Sequence, residues 1–385
     1  MESKAIVARG PFSQRKWTIE QVKLREPRDE EAIVEVVASG ICHTDLHCGD
    51  TGADEGVPAV YYPRVLGHEG AGYVVKVGKA VTKVKPGDAV FMSFAACGAC
   101  HVCRSGPPSH CINAFNLNFM GEPVFASSSG SASNPDIGGR FFGQSSFARH
   151  TIASASSLVN ASALHLTRSD LALLAPLGCG LQTGSGTVLN VAQAGPDDAI
   201  AIVGLGGVGL AAVMAASRIA KCKTIIGIDR VAGRLELARE LGATHVFDTT
   251  DSAFGELVKR VKEVTEDGAG VSVAIDTSAH PGLVAAQIAY TRYMGKIIQV
   301  GTGMPESFLE VHMQSFMVSG KQYFGAIQGW SRKEEYIPQL VRWWREGKFP
   351  VERLVKMFAF EEFEDALGSM GQGIVVKPVM VWEDE

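Results

Sequence analysis

Between residues 199 and 300, short apolar runs of strand length alternate with longer helix-like runs, and this alternation constrains the fold more than any other feature. The strand-like runs are 199–203, 224–228, 245–247, 271–275 and 296–300. Helical patterns separate them: one running to about Ala220, then 233–241, 254–264 and 283–290. Strands joined by helices pair in parallel, with the crossovers covering the sheet, so the expected fold class is α/β with a doubly wound parallel sheet. The first strand runs into Gly204-Leu205-Gly206-Gly207-Val208-Gly209, which opens a helix. Gly204 permits a tight turn, Gly206 lets the backbone approach a pyrophosphate, and Gly209 lets the helix pack close to the strand. A G-x-G-x-x-G run alone is a weak signal; its place between strand and helix strengthens it. Asp229 ends the next strand, where a carboxylate can take both ribose hydroxyls of NAD; the plainer reading is a cap for the following helix. Arg230 beside it favours a 2′-phosphate, and we expect the carboxylate to prevail, giving NAD over NADP.

The rest of the chain has a different texture. Residues 1–180 read as short strands (5–8, 32–38, 72–77, 89–92) between turn signals such as Pro86-Gly87-Asp88, which suggests an antiparallel barrel or sandwich. At 385 residues, about two domains are expected. The change of pattern after Ala175-Pro176-Leu177 places one domain at 1–180, completed by 326–385, and the dinucleotide domain at 181–325. The last stretch holds an amphipathic helix at 333–345 and a strand near 374–381. The stretch 112–140, rich in Ser, Gly and Asn, fits a flexible insertion and a structured one equally well. A net charge of −5 offers no basic surface for nucleic acid or anionic lipid, and no apolar stretch approaches a membrane span. The opening MESKAIVARG carries no apolar signal segment, and we expect a cytoplasmic protein.

Cys97, Cys100, Cys103 and Cys111 lie within fifteen residues as C-x2-C-x2-C-x7-C. Thiolates this close in sequence can close one tetrahedral Zn²⁺ site. A disulfide framework suits a long chain without a signal segment poorly, and iron–sulfur runs have other spacings, often with Pro after the last Cys. The zinc reading is preferred; four thiolates leave no open position, so such a site holds a lobe together. Cys42, His68 and Cys179 are scattered, and spacing does not assemble them: each cysteine could be a small buried hydrophobe and His68 a satisfied core histidine.

These segments, taken together, resemble the zinc-containing medium-chain alcohol dehydrogenases over nearly the whole chain. Gly67-His68-Glu69, Pro86-Gly87-Asp88, the four-thiol stretch and the glycine loop occur in the family's order. The resemblance implies a GroES-like barrel beside the Rossmann domain and two zinc ions per subunit. It makes Cys42, His68 and Cys179 catalytic zinc ligands, Glu69 an alternate or neighbouring carboxylate, and Asp45 the group that orients His68. Thr44 would hydrogen-bond the substrate alcohol and His47 would pass its proton to solvent, a task suited to a pKa near working pH. Thr183 and Val300 would lie near the nicotinamide, Arg234 near the adenosine ribose, and His43 and Lys377 near the pyrophosphate. At His43 many relatives carry Arg. Ser93, Phe94, Leu117, Phe141 and Phe142 would line the substrate channel. The run Phe142-Gly143-Gln144-Ser145-Ser146-Phe147 looks like the aryl-alcohol branch, and fungal secondary-metabolism relatives share this look.

The expected function is reversible, NAD-linked oxidation of an aromatic or bulky primary alcohol to its aldehyde. S-(hydroxymethyl)glutathione dehydrogenase is the alternative within the family, though Phe115 stands where that branch carries a cationic anchor. A reductive step in secondary metabolism is another. A zinc-free quinone or enoyl reductase would lack the three scattered ligands, and a crystallin-like structural protein would not turn over. Insertion-bearing members resemble dimers, so a homodimer paired near 302–316 is expected.

Overall fold

The computed structural model describes residues 1–52, 61–131, 136–250, 253–303 and 306–383. The chain forms two compact units, one comprising Met1–Cys179, Arg332–Arg342 and Val351–Glu385, the other Gly180–Ser331 and Trp343–Pro350. The helix Lys333–Arg345 is therefore shared between them.

In the second unit six strands form one parallel sheet in the order His245–Asp248, Thr224–Asp229, Ala199–Val203, Val271–Asp276, Thr291–Gln299, Gln322–Gly325. Counted along this unit the order is 3-2-1-4-5-6, that of dinucleotide-binding sheets. The central strands are apolar on both faces because helices cover both, so Val271–Asp276 is buried throughout. The helix Gly207–Ala215 follows the first strand directly. A Cβ at Gly209 would collide with the carbonyl oxygen of Gly204, and one at Gly184 with that of Val208, so glycine permits both close approaches. The edge strand is Gln322–Gly325; the expected pairing stretch 302–316 holds turn and the start of the helix Met313–Ser319 among its described residues.

The first unit centres on the strand Glu31–Gly40, which pairs antiparallel with Glu69–Val77, His150–Ser154 and Lys377–Val381. Ala89–Met92 and Leu158–Asn160 extend the sheet on one side, and Val355–Ala359 lies beyond the C-terminal strand on the other. The C-terminal strand thus completes a sheet begun by the first forty residues. A second, four-stranded sheet runs Glu2–Ala8, Trp17–Leu24, Glu122–Ser127, Ile137–Gly139.

Its last two strands come from 112–140, so the described part of this stretch is structured; 132–135 lie outside the described residues. Charge holds it in place. Buried Glu31 accepts from Arg25 at 2.7 and 3.0 Å and lies 3.0 Å from Arg140, while Glu122 pairs with Arg140 and, at 2.6 Å, with Arg28. Burial works against the Glu31 carboxylate, but Arg25 and the Arg28 N–H hold its pKa below the usual value.

Candidate active site

Two clusters of metal-ligating side chains form among the described residues, and in each the ligand atoms lie within 4.8 Å of one another. The first is Cys97, Cys100, Cys103 and Cys111. It is built from a loop, one turn of helix at His101–Ser105 and the short turn Pro108–His110. Backbone N–H groups point at the sulfurs: Cys100 to Cys97, Cys103 to Cys100, and both Cys97 and Asn113 to Cys111, each at 3.4 Å. Hydrogen bonds of this kind favour thiolates. The N–H groups of Ala99 and Cys100 bring Cys97 down to about 6, whereas burial pushes Cys103 up to about 12. Cys97 and Cys103 sulfurs are 3.9 Å apart. A tetrahedron with Zn–S of about 2.3 Å needs roughly 3.8 Å, so the four residues fit one ion.

The second cluster is Cys42, His68, Glu69 and Cys179. Cys42 caps the helix His43–Asp50, His68 precedes the strand Glu69–Val77, and Cys179 follows the turn Ala175–Gly178. Asp45 organises the arrangement. One of its oxygens accepts from His68 Nδ1 at 2.9 Å and from the Gly67 N–H at 3.0 Å; the other accepts from the Cys42 N–H at 2.9 Å. With Nδ1 so engaged, the buried Nε2 is left without a hydrogen-bond partner. An orphaned imidazole nitrogen beside two sulfurs is what a metal ligand looks like before the metal is added, and two thiols with one imidazole suit Zn²⁺. A hydrogen bond from Cys179, with His68 nearby, holds Cys42 well below an ordinary thiol despite its burial. Burial opposes charge on His68, but Asp45 and Cys42 outweigh it and raise its pKa.

Lys377 sits on the Glu69 carboxylate. Its ammonium lies 2.9 and 3.0 Å from the two oxygens of Glu69 and 3.0 Å from the Ile41 carbonyl oxygen. Three acceptors thus face the three N–H donors of the ammonium. Lys377 and Glu69 are both buried; burial opposes the charge on Lys377, but Glu69, with Cys42 and Cys179 nearby, outweighs it and raises its pKa.

Thr44 hydroxyl oxygen lies 3.7 Å from the Cys42 sulfur. His47 is exposed in the last turn of its helix, and His43 is exposed in the first. Ser93 is buried, its hydroxyl donating to the Gly178 carbonyl oxygen next to Cys179, while the Phe94 ring lies under the Lys333 ammonium, 4.4 Å from the ring centre. The Phe142 ring stacks on His68 at 4.4 Å and 23°, and Phe141 meets it edge-on at 5.5 Å. Phe119, which the sequence did not single out, touches both Phe141 and Phe142 and stacks on Phe115, so four phenyl rings lead from an exposed ring to the histidine. Its signal was the spacing Phe115-x3-Phe119, one helical turn. Leu117 is half-buried in the same turn.

In the second unit, Gly204 takes φ +84°, and open space faces Gly206 at the cap of the helix Gly207–Ala215. The Leu205 N–H binds one Asp229 oxygen at 2.6 Å; the N–H groups of Arg230 and Val231 bind the other at 2.7 and 2.9 Å. Asp229 is thus both a turn cap and a carboxylate fixed at the strand end. Arg230 is exposed, whereas Arg234 has a buried Nε without a partner. Thr183 is buried in the helix Gly180–Gly186, and the Val300 N–H is held by the Asp276 carbonyl. An open glycine cradle, a fixed carboxylate and an unpaired guanidinium nitrogen fit a dinucleotide.

The fold and these two centres define a zinc-binding dehydrogenase, and known proteins agree. Residues 28–163 match the alcohol dehydrogenase GroES-like domain, and residues 207–345 the zinc-binding dehydrogenase family. The chain is 35% identical over 365 residues to geraniol dehydrogenase of Castellaniella defragrans, covering 94% of each. It is 32% identical to S-(hydroxymethyl)glutathione dehydrogenase of Escherichia coli, across 99% of the chain and all of that protein. The solved structure of benzyl alcohol dehydrogenase from Acinetobacter calcoaceticus superposes along the full length of both chains with TM-score 0.87 and 34% identity. The chain belongs to the zinc-containing medium-chain alcohol dehydrogenases and is an NAD-dependent oxidoreductase. No helix among the described residues is long and apolar enough to cross a membrane.

Proposed function

We propose that this enzyme interconverts an aromatic or bulky primary alcohol and its aldehyde, with NAD(H) as hydride carrier and two zinc ions per subunit. The observation that carries the reading is the aromatic series ending on His68. Flat or branched apolar groups gain more from such a wall than ethanol can, because burial scales with apolar area. Cys42, His68 and Cys179 would hold the ion that polarises the alcohol oxygen, and Glu69 is the carboxylate within the same cluster. Thr44 receives the alcohol proton and His47, exposed, releases it to water. Gly204 to Gly209 cradle the pyrophosphate, with Thr183 and Val300 toward the nicotinamide and Arg234 toward the ribose. Asp229 repels a 2′-phosphate more than exposed Arg230 attracts one, and like-charge juxtaposition of this kind costs several kcal/mol, so NAD should exceed NADP by roughly a hundredfold in kcat/KM.

The S-(hydroxymethyl)glutathione relative favours a second reading, but Phe115 offers a glutathione carboxylate no charge. One panel decides: kcat/KM for a benzylic alcohol, a branched allylic alcohol, ethanol and S-(hydroxymethyl)glutathione, each with NAD⁺ and NADP⁺. A preference for ethanol or the glutathione adduct overturns the substrate class.

A homodimer fits the apolar surface around the sheet edge, where Phe308, Met313 and Met317 are 83%, 86% and 73% exposed. Apolar exposure on this scale is characteristic of an interface, and sedimentation at micromolar concentration tests it. Reduced cysteines without disulfides suit a cytoplasmic enzyme.

A further inference from the structure

The segment Arg140–Phe147 does more than supply aromatic rings. Arg140, Phe142 and Ser145 all adopt left-handed backbone, with φ of 62°, 53° and 59°. Non-glycine residues in this region cost on the order of 1–3 kcal/mol each and persist only where their surroundings hold them. The hold is visible. Ser145 Oγ accepts from the Phe141 N–H at 2.9 Å and donates to the Val65 carbonyl at 2.7 Å, and the Ser146 N–H bonds the Gly67 carbonyl at 2.9 Å. What this conformation delivers is Gln144, fully buried, beside the backbone that carries His68.

Each polar atom of the Gln144 amide is used. Nε2 donates to the carbonyl oxygens of His68, at 2.9 Å, and Ser93, at 3.0 Å; Oε1 accepts from the Gly70 N–H at 3.2 Å. The partners settle the amide orientation, since two carbonyls require the NH₂ end. Gln144 therefore grips the chain on both sides of Glu69 and joins it to Ser93. Ser93 Oγ in turn donates to the Gly178 carbonyl, one residue before Cys179. Two side chains thus tie the strand entrance bearing His68 to the turn bearing Cys179.

We propose that Gln144 is a positioning residue for the metal centre, setting the separation of His68 from Cys179 through the carbonyls of His68 and Ser93. Asp45 fixes the rotation of the imidazole ring and Phe142 covers its face, while Gln144 fixes where its backbone stands. Phe142 acts on the ring alone, and Asp45 reaches the backbone at the N–H groups of Gly67 and Cys42, whereas Gln144 binds the carbonyl of His68 itself and links it to that of Ser93.

The test compares the zinc-loaded wild type with Gln144→Met, which keeps length and removes all three hydrogen bonds, and Gln144→Glu, which keeps only the acceptor for Gly70. Zinc release to a chromogenic chelator is followed for both sites, together with the visible spectrum of enzyme carrying Co²⁺ at the second cluster. Outer-shell partners typically carry 10–100-fold in metal affinity, so release from Cys42–His68–Cys179 should quicken by about tenfold or more and the cobalt bands should move. Release from the four-thiol site should stay as in the wild type. Should the Met variant not fold, the Glu variant is read in its place, and Ser93→Ala should move both readouts in the same direction by less. A folded Gln144 variant with wild-type release and cobalt spectrum overturns the proposal. Equal acceleration at both sites with an unmoved spectrum also overturns it, since Gln144 would then only support the fold.

Discussion

The two cysteine clusters are built in opposite ways. Cys97 to Cys111 is local: fifteen residues supply four sulfurs, and the chain's own N–H groups turn toward them. Cys42, His68 and Cys179 come from points up to 137 residues apart, and their geometry depends on buried Asp45, in the helix that Cys42 caps, and on Gln144 and Lys377 from still other segments. A local site needs a metal to hold a lobe closed, because little else does. A site assembled across a sheet already has the sheet to hold it. Stability should therefore depend on the metal at the first centre, and activity on the supporting residues at the second.

The largest contrast is expected from removing one ligand at each. Cys42→Ser should lower kcat by well over 10²-fold, more than loss of an outer-shell partner does, with the circular dichroism and melting curve close to wild type. Cys103→Ser should instead lose soluble protein or melt early, because binding energy at such a site is folding energy. Two zincs per wild-type chain are expected by metal analysis. If Cys42→Ser unfolds and Cys103→Ser does not, the division of labour is reversed. Next in size is Lys377→Met, which strands the Glu69 carboxylate without its counter-charge. Breaking a buried pair from one side costs about 3–5 kcal/mol, readable as a fall in the denaturant midpoint, and an unchanged midpoint would mean that water reaches Glu69.

The same contrast explains what the sequence could disclose. The four-thiol spacing and the glycine loop are local patterns, as is the strand–helix alternation, and five of the six sheet strands follow it; the sixth, Gln322–Gly325, was not read from the sequence. Cys42, His68 and Cys179 needed the family's order of motifs, since no periodicity joins residues so far apart. That order did not disclose the contact of Lys377 with Glu69, to which antiparallel pairing of Lys377–Val381 with Glu31–Gly40 delivers it. Such a partner depends on the register of a strand more than 300 residues downstream. Gln144 was hidden for another reason. Gln144-Ser145-Ser146 is polar, so composition alone gives no sign that all three residues are buried between Phe142 and Phe147. The stretch 112–140, open between loop and structure, is structured where described through Glu122 and Arg140, charges that pair with each other and with Arg28 and Glu31, far away in sequence.

Smaller effects should sharpen the account of the second centre. Asp45→Asn keeps the shape but removes the charge facing His68 Nδ1. Activity or metal affinity should drop by about 10–100-fold, while zinc at the four-thiol site is retained. A loss below twofold would leave the orientation of His68 to its other neighbours.

Phe142→Leu should have the smallest effect. The ring lies flat on the imidazole at 4.4 Å, and leucine fills part of the same space without the stack. Aromatic pairs are worth about 0.5–1.5 kcal/mol beyond the area they bury, so stacking can contribute a change of about twofold to roughly tenfold. How that change divides between substrates carries the information. A ring that only braces His68 would lower kcat alike for benzylic alcohol and ethanol. If it also forms the wall that an aromatic substrate meets, KM for the benzylic alcohol should rise and that for ethanol should stay. Leucine would take the same φ near +53° that Phe142 already takes, so the backbone cost is common to both proteins and leaves the kinetic comparison untouched. Equal kinetic losses for the two alcohols would therefore keep Phe142 as support for His68 and remove it from the substrate wall.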